Sequence, residues 1–277
     1  MYVYVNGMVV SEEEAMVSVF DHGLLYGLGL FETFRWSREG VFRLDAHMSR
    51  LQKSLQQVGI HASLSIAEMK EVLATLGEAN GLSEAYVRWN ITAGTSPLGL
   101  TAKVYEHPNV IVYMKPMPPV VAHKTARVLS LPRNTPEGQW RLKSHHFMNN
   151  VLAKQTLGDD PTIEGIFLTA NGDVAEGITS NIFWLYDGDV YTPSLEAGIL
   201  NGVTRACMIE LLRQAGYKVV EGLFPRSSLV TADGWFMTNA IQGVVPITLL
   251  EEQQSRACDE VQQIQHLYIE ARAREMG

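Results

Sequence analysis

Three features are scarce in this sequence, and each scarcity excludes a class of protein. The 277 residues include two cysteines, Cys207 and Cys258, so we expect free thiols and a reduced, cytoplasmic setting. Acidic residues outnumber basic ones, and the formal charge of -8 argues against nucleic acid or an anionic membrane as a partner. No apolar run approaches the roughly 18 residues of a membrane span, and the N-terminus lacks the pattern of a secretory signal.

The composition does provide for a large core. Apolar residues make up 46% of the chain, and its length suits one or two domains. The proline-rich segment 116–122 is the best candidate for a domain boundary, because prolines stiffen a connector. We therefore predict an α+β protein with a small N-terminal α/β domain at 1–115 and a larger, β-rich α/β domain at 123–277.

Turn and capping patterns divide both parts into short elements. The first part is predicted to hold a hairpin closed by Asn6-Gly7, a helix from Asp45 to Gly59, a helix started by the capping box Ser65 to Glu68, and strands at 30–36, 41–44, 85–91 and 110–114. The second part is predicted to hold hairpins closed by Asn171-Gly172 and Asp187-Gly188, a helix from Val203 to Gly216, a strand at 234–240 and a surface helix at 255–274.

Lys143 is the first candidate for chemistry. Ser144 is a good N-cap, and one buried helical face is predicted from the spacing of Phe147, Met148, Val151 and Leu152. Lys143 would then lie at the mouth of a helix, where the dipole and burial both lower the pKa of an ammonium group. A lysine that loses its proton near neutrality is a nucleophile, typically used in a Schiff base with a carbonyl cofactor such as pyridoxal phosphate.

Two further positions suit such a cofactor. Glu176 lies in a strand that is about to be covered, so its carboxylate must be exposed, paired, or facing a cationic ligand atom such as a protonated pyridine nitrogen. Gly202, followed by Thr204 in the first helical turn, would leave N–H groups and a hydroxyl for a phosphate. The strand that ends at Asn239 and Ala240 offers a second phosphate contact. Arg50, beside an apolar helical stripe, is most simply a surface arginine on pattern alone.

Taken in order, these positions resemble a known family. The sequence is similar to the class IV aminotransferases, the pyridoxal phosphate enzymes of fold type IV, through Lys143 and the motif residues Glu176, Ile178, Ser180 to Phe183, Val190, Thr192, Leu200, Gly202, Val203 and Arg205. The resemblance implies that Lys143 carries the cofactor, that Glu176 holds the pyridine nitrogen and that Arg50 binds the phosphate. It further implies that Leu200 packs on the ring, that Val203, Thr204, Asn239 and Ala240 contact the phosphate, and that the protein is a homodimer.

Other segments narrow the resemblance to one group within the family. The runs 20–35, 133–138 and 141–146 are similar to aminodeoxychorismate lyases of Gram-positive bacteria, which convert 4-amino-4-deoxychorismate to 4-aminobenzoate and pyruvate for folate synthesis. Met148 and Thr33 depart from the branched-chain aminotransferases, which have tyrosine and glycine there. The D-amino acid aminotransferases share the Lys-Ser start and the run 151–155. A D-amino acid or branched-chain aminotransferase is therefore the alternative function.

The substrate side of the site is less specific. Arginine forks suit the two carboxylates of the lyase substrate, and Arg35, Arg88 and Arg133 are the candidates, each with an equally good structural interpretation. Tyr26 and Thr33 are predicted to line the pocket. The adjacent histidines 145 and 146 have no third ligand at a suitable spacing, so we predict no metal site.

Overall fold

The computed structural model describes residues 1–276, and these form two compact units. The small unit comprises Met1–Pro118 and Leu142–His146, with Met276. The large unit comprises Pro119–Arg141 and Phe147–Glu275. The first change of unit, after Pro118, falls within the predicted connector. The segment that carries Lys143 belongs to the small unit, although it follows the first residues of the large unit in the chain.

The small unit is built on an antiparallel sheet. Its elements within residues 1–118 are β1 (Tyr2–Val5), β2 (Met8–Ser11), α1 (His22–Tyr26), β3 (Gly29–Ser37), α2 (Leu44–Gln57), α3 (Ile66–Ala79), β4 (Glu84–Thr92) and β5 (Asn109–Lys115). The strand order is β2-β1-β5-β4-β3, so β3 lies at one end of the sheet. Because side chains alternate along a strand, Phe31 and Thr33 share one face with their cross-strand partners Asn90 and Arg88. The other face carries the buried Phe34 toward α2.

Local patterns in the small unit gave mixed results. The Asn6-Gly7 hairpin and the capping box that begins α3 are both confirmed. The predicted strand at 41–44 and the N-cap at Asp45 are wrong. The chain turns back at once after β3, and α2 begins at Leu44 behind Arg43, whose φ of 57° is left-handed. Asp45 lies in the first turn of α2 instead, where its charge suits the helix dipole.

The large unit is built on a mixed sheet. Its elements are β6 (Lys124–Val128), α4 (Met148–Leu157), β7 (Ile163–Leu168), β8 (Val174–Gly177), β9 (Asn181–Tyr186), β10 (Asp189–Pro193), α5 (Val203–Gln214), β11 (Val219–Gly222), α6 (Ser227–Thr231), β12 (Gly234–Asn239), β13 (Gly243–Leu250), β14 (Gln253–Gln254) and α7 (Cys258–Met276). The strand order is β11-β10-β9-β12-β13-β6-β7-β8, with β14 beside β13. The two predicted hairpins are confirmed as the pairs β7–β8 and β9–β10.

The helix after Lys143 differs most from its prediction. It begins at Met148 and not after Ser144, so Lys143 lies five residues before the helix and the dipole argument for its pKa fails. The predicted buried face is also wrong, because Met148, Val151 and Leu152 are 69%, 44% and 45% exposed. The inward positions of α4 are Asn150 and Ala153. The amide of Asn150 satisfies other buried polar groups, which explains why a polar residue faces inward.

No disulfide is formed by Cys207, which is buried in α5, or by Cys258, which is exposed at the start of α7. Within residues 1–276, no helix has the length and apolar character needed to cross a membrane.

Candidate active site

Lys143 is held through its backbone at the edge of the small sheet. Its carbonyl accepts a hydrogen bond from the Phe31 N–H at 2.9 Å, and the His145 N–H donates to the Gly29 carbonyl at 2.9 Å. Ser144 forms the bridge between these two bonds, opposite Leu30. The segment therefore continues the sheet beyond β3, which fixes the main chain of Lys143.

The Phe31 ring makes cation–π contacts with two side chains of the small unit. The Lys143 ammonium lies 4.4 Å from the ring centroid, and the Arg88 guanidinium carbon lies 3.7 Å from it. Phe31 is itself buried, so each cation contacts an aromatic surface that excludes water. The candidate nucleophile and a candidate carboxylate-binding arginine thus lie on the same ring.

A buried carboxylate fixes Arg50. Glu32 is 1% exposed, and its two oxygens accept hydrogen bonds from Arg50 Nε at 2.7 Å and Arg50 Nη2 at 2.5 Å. His47 Nδ1 lies 2.8 Å from Glu32 Oε2 and supplies a third donor. Two parallel bonds from a guanidinium to a carboxylate set its orientation as well as its position. Arg50 is therefore an oriented cation and not a loose surface arginine.

The charges of this cluster are set by burial and pairing. Burial raises the pKa of Glu32, but the charge of Arg50 and the hydrogen bonds from His47 and Arg50 outweigh it and lower the pKa to about 2. Burial lowers the pKa of His47, although its hydrogen bond to Glu32 opposes that change. The cluster therefore holds an ionised Glu32 beside the Arg50 cation at neutral pH.

The other predicted substrate residues of the small unit differ in how far they are engaged. Arg35 forms an ion pair with Glu84, so its charge is already balanced. Tyr26 is 38% exposed, and its hydroxyl accepts a hydrogen bond from the Gly99 N–H at 2.8 Å. Thr33 lies opposite Arg88 in the sheet register. Arg88 has no carboxylate partner among residues 1–276, so it is the arginine best suited to bind an anion.

Glu176 is the corresponding buried carboxylate of the large unit. It is 4% exposed at the end of β8, and Oε1 accepts a hydrogen bond from Arg133 Nε at 2.8 Å. Arg141 Nε lies 3.5 Å from the same oxygen, and Oε2 accepts from the Leu200 N–H at 2.9 Å. A carboxylate has about four acceptor positions, so these contacts leave room for a further donor. Of the three possibilities for Glu176, pairing is the one observed.

The guanidinium of Arg133 is already hydrogen-bonded to protein acceptors. It is 8% exposed and donates to Glu176, Asn149 and Asn150. Its neighbour Arg141 is also buried, which together with the charge of Arg133 lowers the pKa of Arg141 to about 10. Arg133 therefore orients Glu176, and little of its guanidinium remains for a substrate.

Donors collect where α5 begins. No side chain caps this helix, so the N–H groups of its first turn, at Val203 and Thr204, are open to an anion. Gly202 must be a glycine, because a Cβ atom there would lie 2.1 Å from Asn181 Oδ1. The Asn181 amide in turn donates to the Leu200 carbonyl at 2.9 Å, which connects this turn to the residue that contacts Glu176.

The end of β12 adds a second set of donors beside the first. Thr238 pairs with Asn181 across the sheet, and its hydroxyl is buried with no partner among the described residues. The Asn239 side chain accepts from the N–H groups of Ile241 and Gln242 at 3.0 and 2.8 Å and so stabilises the turn. The N–H of Ala240, between these positions, is not used by that side chain.

No group of three or more metal-ligating side chains occurs in the part of the chain that the structure describes. The adjacent histidines have other partners, since His145 faces Asn90 and His146 faces the carbonyl of Tyr26.

Comparison with known proteins decides the family. The profile of the amino-transferase class IV family matches residues 29–250. The chain is 45% identical over 254 residues to the aminodeoxychorismate lyase of Bacillus subtilis, covering 90% of this chain and 87% of that protein. It is 29% identical over 262 residues to the D-alanine aminotransferase of Bacillus licheniformis, covering 91% and 89%.

The fold agrees with this assignment. The branched-chain aminotransferase of the thermophilic archaeon Thermoproteus uzoniensis, solved with norvaline, superposes with a TM-score of 0.88 at 28% identity, covering 99% of this chain and 96% of that one. The chain belongs to the class IV aminotransferase family. It is accordingly an enzyme of fold type IV, and its cofactor is pyridoxal 5'-phosphate, the group whose derivatives occupy two solved structures of another branched-chain aminotransferase of this fold.

The residues present fit this cofactor. A class IV enzyme must hold a phosphate, a pyridine nitrogen and an aldehyde carbon. The large unit offers a phosphate cradle in the uncapped start of α5, the glycine at 202 and the unpartnered hydroxyl of Thr238. Glu176 offers a carboxylate with spare acceptor capacity. The small unit offers an oriented cation, Arg50, and an amine, Lys143.

Sequence reasoning missed three of these residues: Glu32, His47 and Thr238. Glu32 could have been found, because it shares a strand face with Leu30 and Phe34 and is therefore an acidic residue on an apolar face. The same reasoning does identify Glu176. His47 and Thr238 had no comparable signal, since a histidine on an amphipathic helix and a threonine in a strand are both ordinary.

Proposed function

We propose that this class IV enzyme is an aminodeoxychorismate lyase that converts 4-amino-4-deoxychorismate to 4-aminobenzoate and pyruvate, a step of folate biosynthesis. The degree of similarity carries this proposal. The chain is 45% identical to a lyase of that name, against 36% for a putative branched-chain aminotransferase of Methanocaldococcus jannaschii and 29% and 30% for two other aminotransferases, over a similar length.

The cofactor contacts follow from the donor sets. Lys143 carries pyridoxal 5'-phosphate, and Arg50, already oriented by Glu32, binds the phosphate. Val203, Thr204, Asn239 and Ala240 supply further phosphate contacts, mainly from the backbone, and Leu200 packs on the ring. Glu176, held by Arg133, faces the pyridine nitrogen. A negative carboxylate at that position keeps the nitrogen protonated.

The reaction needs one base and one site that binds anions. When bound, pyridoxal 5'-phosphate accepts the electron pair of a C–H bond broken beside the substrate nitrogen. The Lys143 amine removes the proton from C4 of the substrate. The enolpyruvyl group then leaves from C3, the carbon ring becomes aromatic, and Lys143 returns a proton to the methylene carbon of the leaving group. The products are 4-aminobenzoate and pyruvate, and no amino acceptor is consumed.

Arg88 is the residue best placed to bind a substrate carboxylate. Arg35 and Arg133 are already paired with Glu84 and Glu176. Arg88 has no such partner in residues 1–276, and it contacts the same Phe31 ring as Lys143. Burial lowers the pKa of Arg88, but the guanidinium stays charged at neutral pH. Thr33 and Tyr26 complete the lining of this part of the site.

The decisive experiment measures pyruvate released from 4-amino-4-deoxychorismate by the holoenzyme with no keto acid added. The lyase proposal expects repeated turnover and one 4-aminobenzoate for each pyruvate. The alternative is an aminotransferase for D-alanine, another D-amino acid or a branched-chain amino acid, favoured by relatives that are 29–36% identical. That enzyme would instead need 2-oxoglutarate and would release no pyruvate from aminodeoxychorismate.

We also propose a cytoplasmic homodimer whose domains are residues 1–115 and 123–277, apart from the segment Leu142–His146, which belongs to the small unit. Two cysteines that form no disulfide suit a reducing compartment. The outward apolar side chains of α4, Met148, Val151 and Leu152, suit contact with a second copy. Replacing Met148 with glutamate should shift the molar mass measured by light scattering toward the monomer, whereas glutamate at exposed Gln155 on the same helix should not. An unchanged mass for Met148→Glu would contradict the use of this face.

A further inference from the structure

Arg88 is held by its Nε atom. Arg88 Nε donates a hydrogen bond to Asn90 Oδ1 at 2.9 Å, two residues along the same strand. Since a guanidinium can only donate, the Asn90 atom that it meets must be the amide oxygen. The Asn90 amide nitrogen is then directed to the Ile111 carbonyl, 3.5 Å away. The orientation of this 4% exposed amide is thus fixed by its two neighbours.

The same oxygen meets His145. His145 Nε2 lies 3.1 Å from Asn90 Oδ1, and a carbonyl oxygen cannot donate. The proton must therefore be on Nε2, so His145 is a donor to Asn90. Burial, and next the charge of Arg88, lower the pKa of His145 to about 4, so the ring is neutral near pH 7. Asn90 consequently accepts from both sides, and one chain of bonds joins His145, Asn90 and Arg88.

The backbone fixes His145 as firmly as the side chains do. His145 follows Lys143 by two residues, and its N–H donates a hydrogen bond to the Gly29 carbonyl at 2.9 Å. The imidazole lies directly over Gly29, where an added Cβ atom would come within 2.4 Å of Nδ1. The glycine at position 29 therefore makes room for this ring. The main chain of His145 and of Lys143 is thus joined to the same sheet edge.

We infer that Asn90 and His145 are positioning residues that hold the Arg88 guanidinium flat on Phe31 and turn its Nη1–Nη2 edge toward a substrate carboxylate. The inference rests on the carboxylate-binding role given to Arg88 under the proposed function. Nε is committed to Asn90 and the guanidinium face to the Phe31 ring, so the Nη edge is the part that remains for a ligand. A planar fork of this kind binds a carboxylate through two parallel bonds.

The test compares two probes that differ in one charge, 4-aminobenzoate and 4-aminobenzamide. Titration calorimetry on the holoenzyme gives the ratio of their dissociation constants, which we expect to favour the carboxylate. Arg88→Gln should reduce this ratio by about 10- to 100-fold, the loss typical of a charge-assisted bond. Asn90→Ala, which removes the hydrogen bond from the Arg88 guanidinium, should reduce it by about 5-fold, and His145→Ala, which removes a neutral hydrogen bond to Asn90, by about 3-fold.

Two controls separate positioning from a general structural effect. In the Arg88→Gln background, Asn90→Ala should change the ratio no further, because the bond that it removes acts through Arg88. His146→Ala removes the neighbouring histidine, which faces the Tyr26 carbonyl, and should leave the ratio unchanged. The visible spectrum of the bound cofactor should stay the same in every variant.

The possible failures are distinguishable. If Asn90→Ala and His145→Ala both keep the full carboxylate preference while Arg88→Gln loses it, the positioning role is wrong and the role of Arg88 stands. If Arg88→Gln keeps the preference, or the wild-type enzyme has none, the inference falls with that role. The lyase proposal is judged separately by pyruvate release, since these titrations require no turnover. His145→Ala, at a partly exposed position, gives a result even if the buried Asn90→Ala does not fold.

Discussion

Each of the two units buries one carboxylate among the candidate site residues, and the two carboxylates are satisfied differently. Glu32 of the small unit accepts three side-chain bonds, two from Arg50 and one from His47. Glu176 of the large unit accepts one bond from Arg133 and one from a backbone N–H. The oxygens of Glu32 are thus occupied by side chains of its own unit, whereas Glu176 can still accept a further hydrogen bond.

This difference teaches what each carboxylate is for. A carboxylate whose oxygens are filled by an arginine fork can only orient that arginine. One that is held from one side by a cation and from another by the main chain is fixed in place and still able to take a donor from a ligand. Burial alone does not separate the two cases, since both carboxylates are at most 4% exposed. Their hydrogen-bond partners distinguish them.

The largest effect is expected at Lys143. Both oxygens of Glu32 are already hydrogen-bonded within the small unit, so in our proposal the Lys143 amine is the reactive group of that unit. Lys143→Ala should lower the rate of pyruvate formation by about 1,000-fold or more and remove the visible absorbance of the cofactor. Lys154→Ala, in the last turn of α4, is a suitable control. Full activity in Lys143→Ala would mean that another residue is the nucleophile.

The second largest effect is expected at Glu176, the carboxylate that can still accept a hydrogen bond. Glu176→Gln should lower kcat by about 100-fold, since a neutral amide no longer keeps the pyridine nitrogen protonated. Glu164→Gln is matched to it, because Glu164 is equally buried in the same unit and pairs with Lys124. The control variant should lose stability without a change in the cofactor spectrum. Equal kcat losses in both variants would indicate that Glu176 acts only through the fold.

Glu32, whose oxygens are occupied by Arg50 and His47, should contribute to the stability of the fold. Its pKa of about 2, against 4.5 without the structure, corresponds to about 3 kcal/mol at neutral pH. Because that pKa is lowered on folding, the contribution is present above pH 4.5 and is lost as the pH falls through 2. Glu32→Gln should therefore unfold about 3 kcal/mol more easily in urea at pH 7. Its deficit relative to wild type should shrink steadily below pH 4.5, and a constant deficit would contradict the assigned pairing.

The smallest effect is expected where a carboxylate pair is exposed. Arg35 pairs with Glu84, whose side chain is 48% exposed. Such pairs contribute about 1 kcal/mol or less, so Arg35→Gln and Glu84→Gln should each change the free energy of unfolding by no more than that. Neither variant should alter the preference for 4-aminobenzoate over 4-aminobenzamide. A strong loss of that preference in Arg35→Gln would make Arg35, and not Arg88, the carboxylate-binding residue.

The sequence predicted what depends on neighbouring residues. The Asn6-Gly7 turn and the capping box at Ser65 were found because their chemistry acts over four residues. Lys143 and Glu176 were found as cofactor residues through spaced motifs and family resemblance. Those roles stay predictions, although the buried and paired state of Glu176 is now observed.

What the sequence could not predict depends on distant partners. The spacing of Met148, Val151 and Leu152 correctly indicates an apolar helical face, but periodicity does not say what covers it, and within this chain it is exposed. The pairing of Glu176 with Arg133 joins residues 43 positions apart, and no local pattern encodes it. The same holds for His145 and Asn90, which are 55 positions apart.

The attachment of residues 143–145 to β3 has one more consequence. An uncovered terminal strand offers its main-chain groups to other molecules and invites aggregation. Here the reactive segment takes up the groups of Gly29 and Phe31 at that border. We therefore expect a substitution that detaches the segment to displace Lys143 and also to leave main-chain groups of β3 unpaired, which favours aggregation.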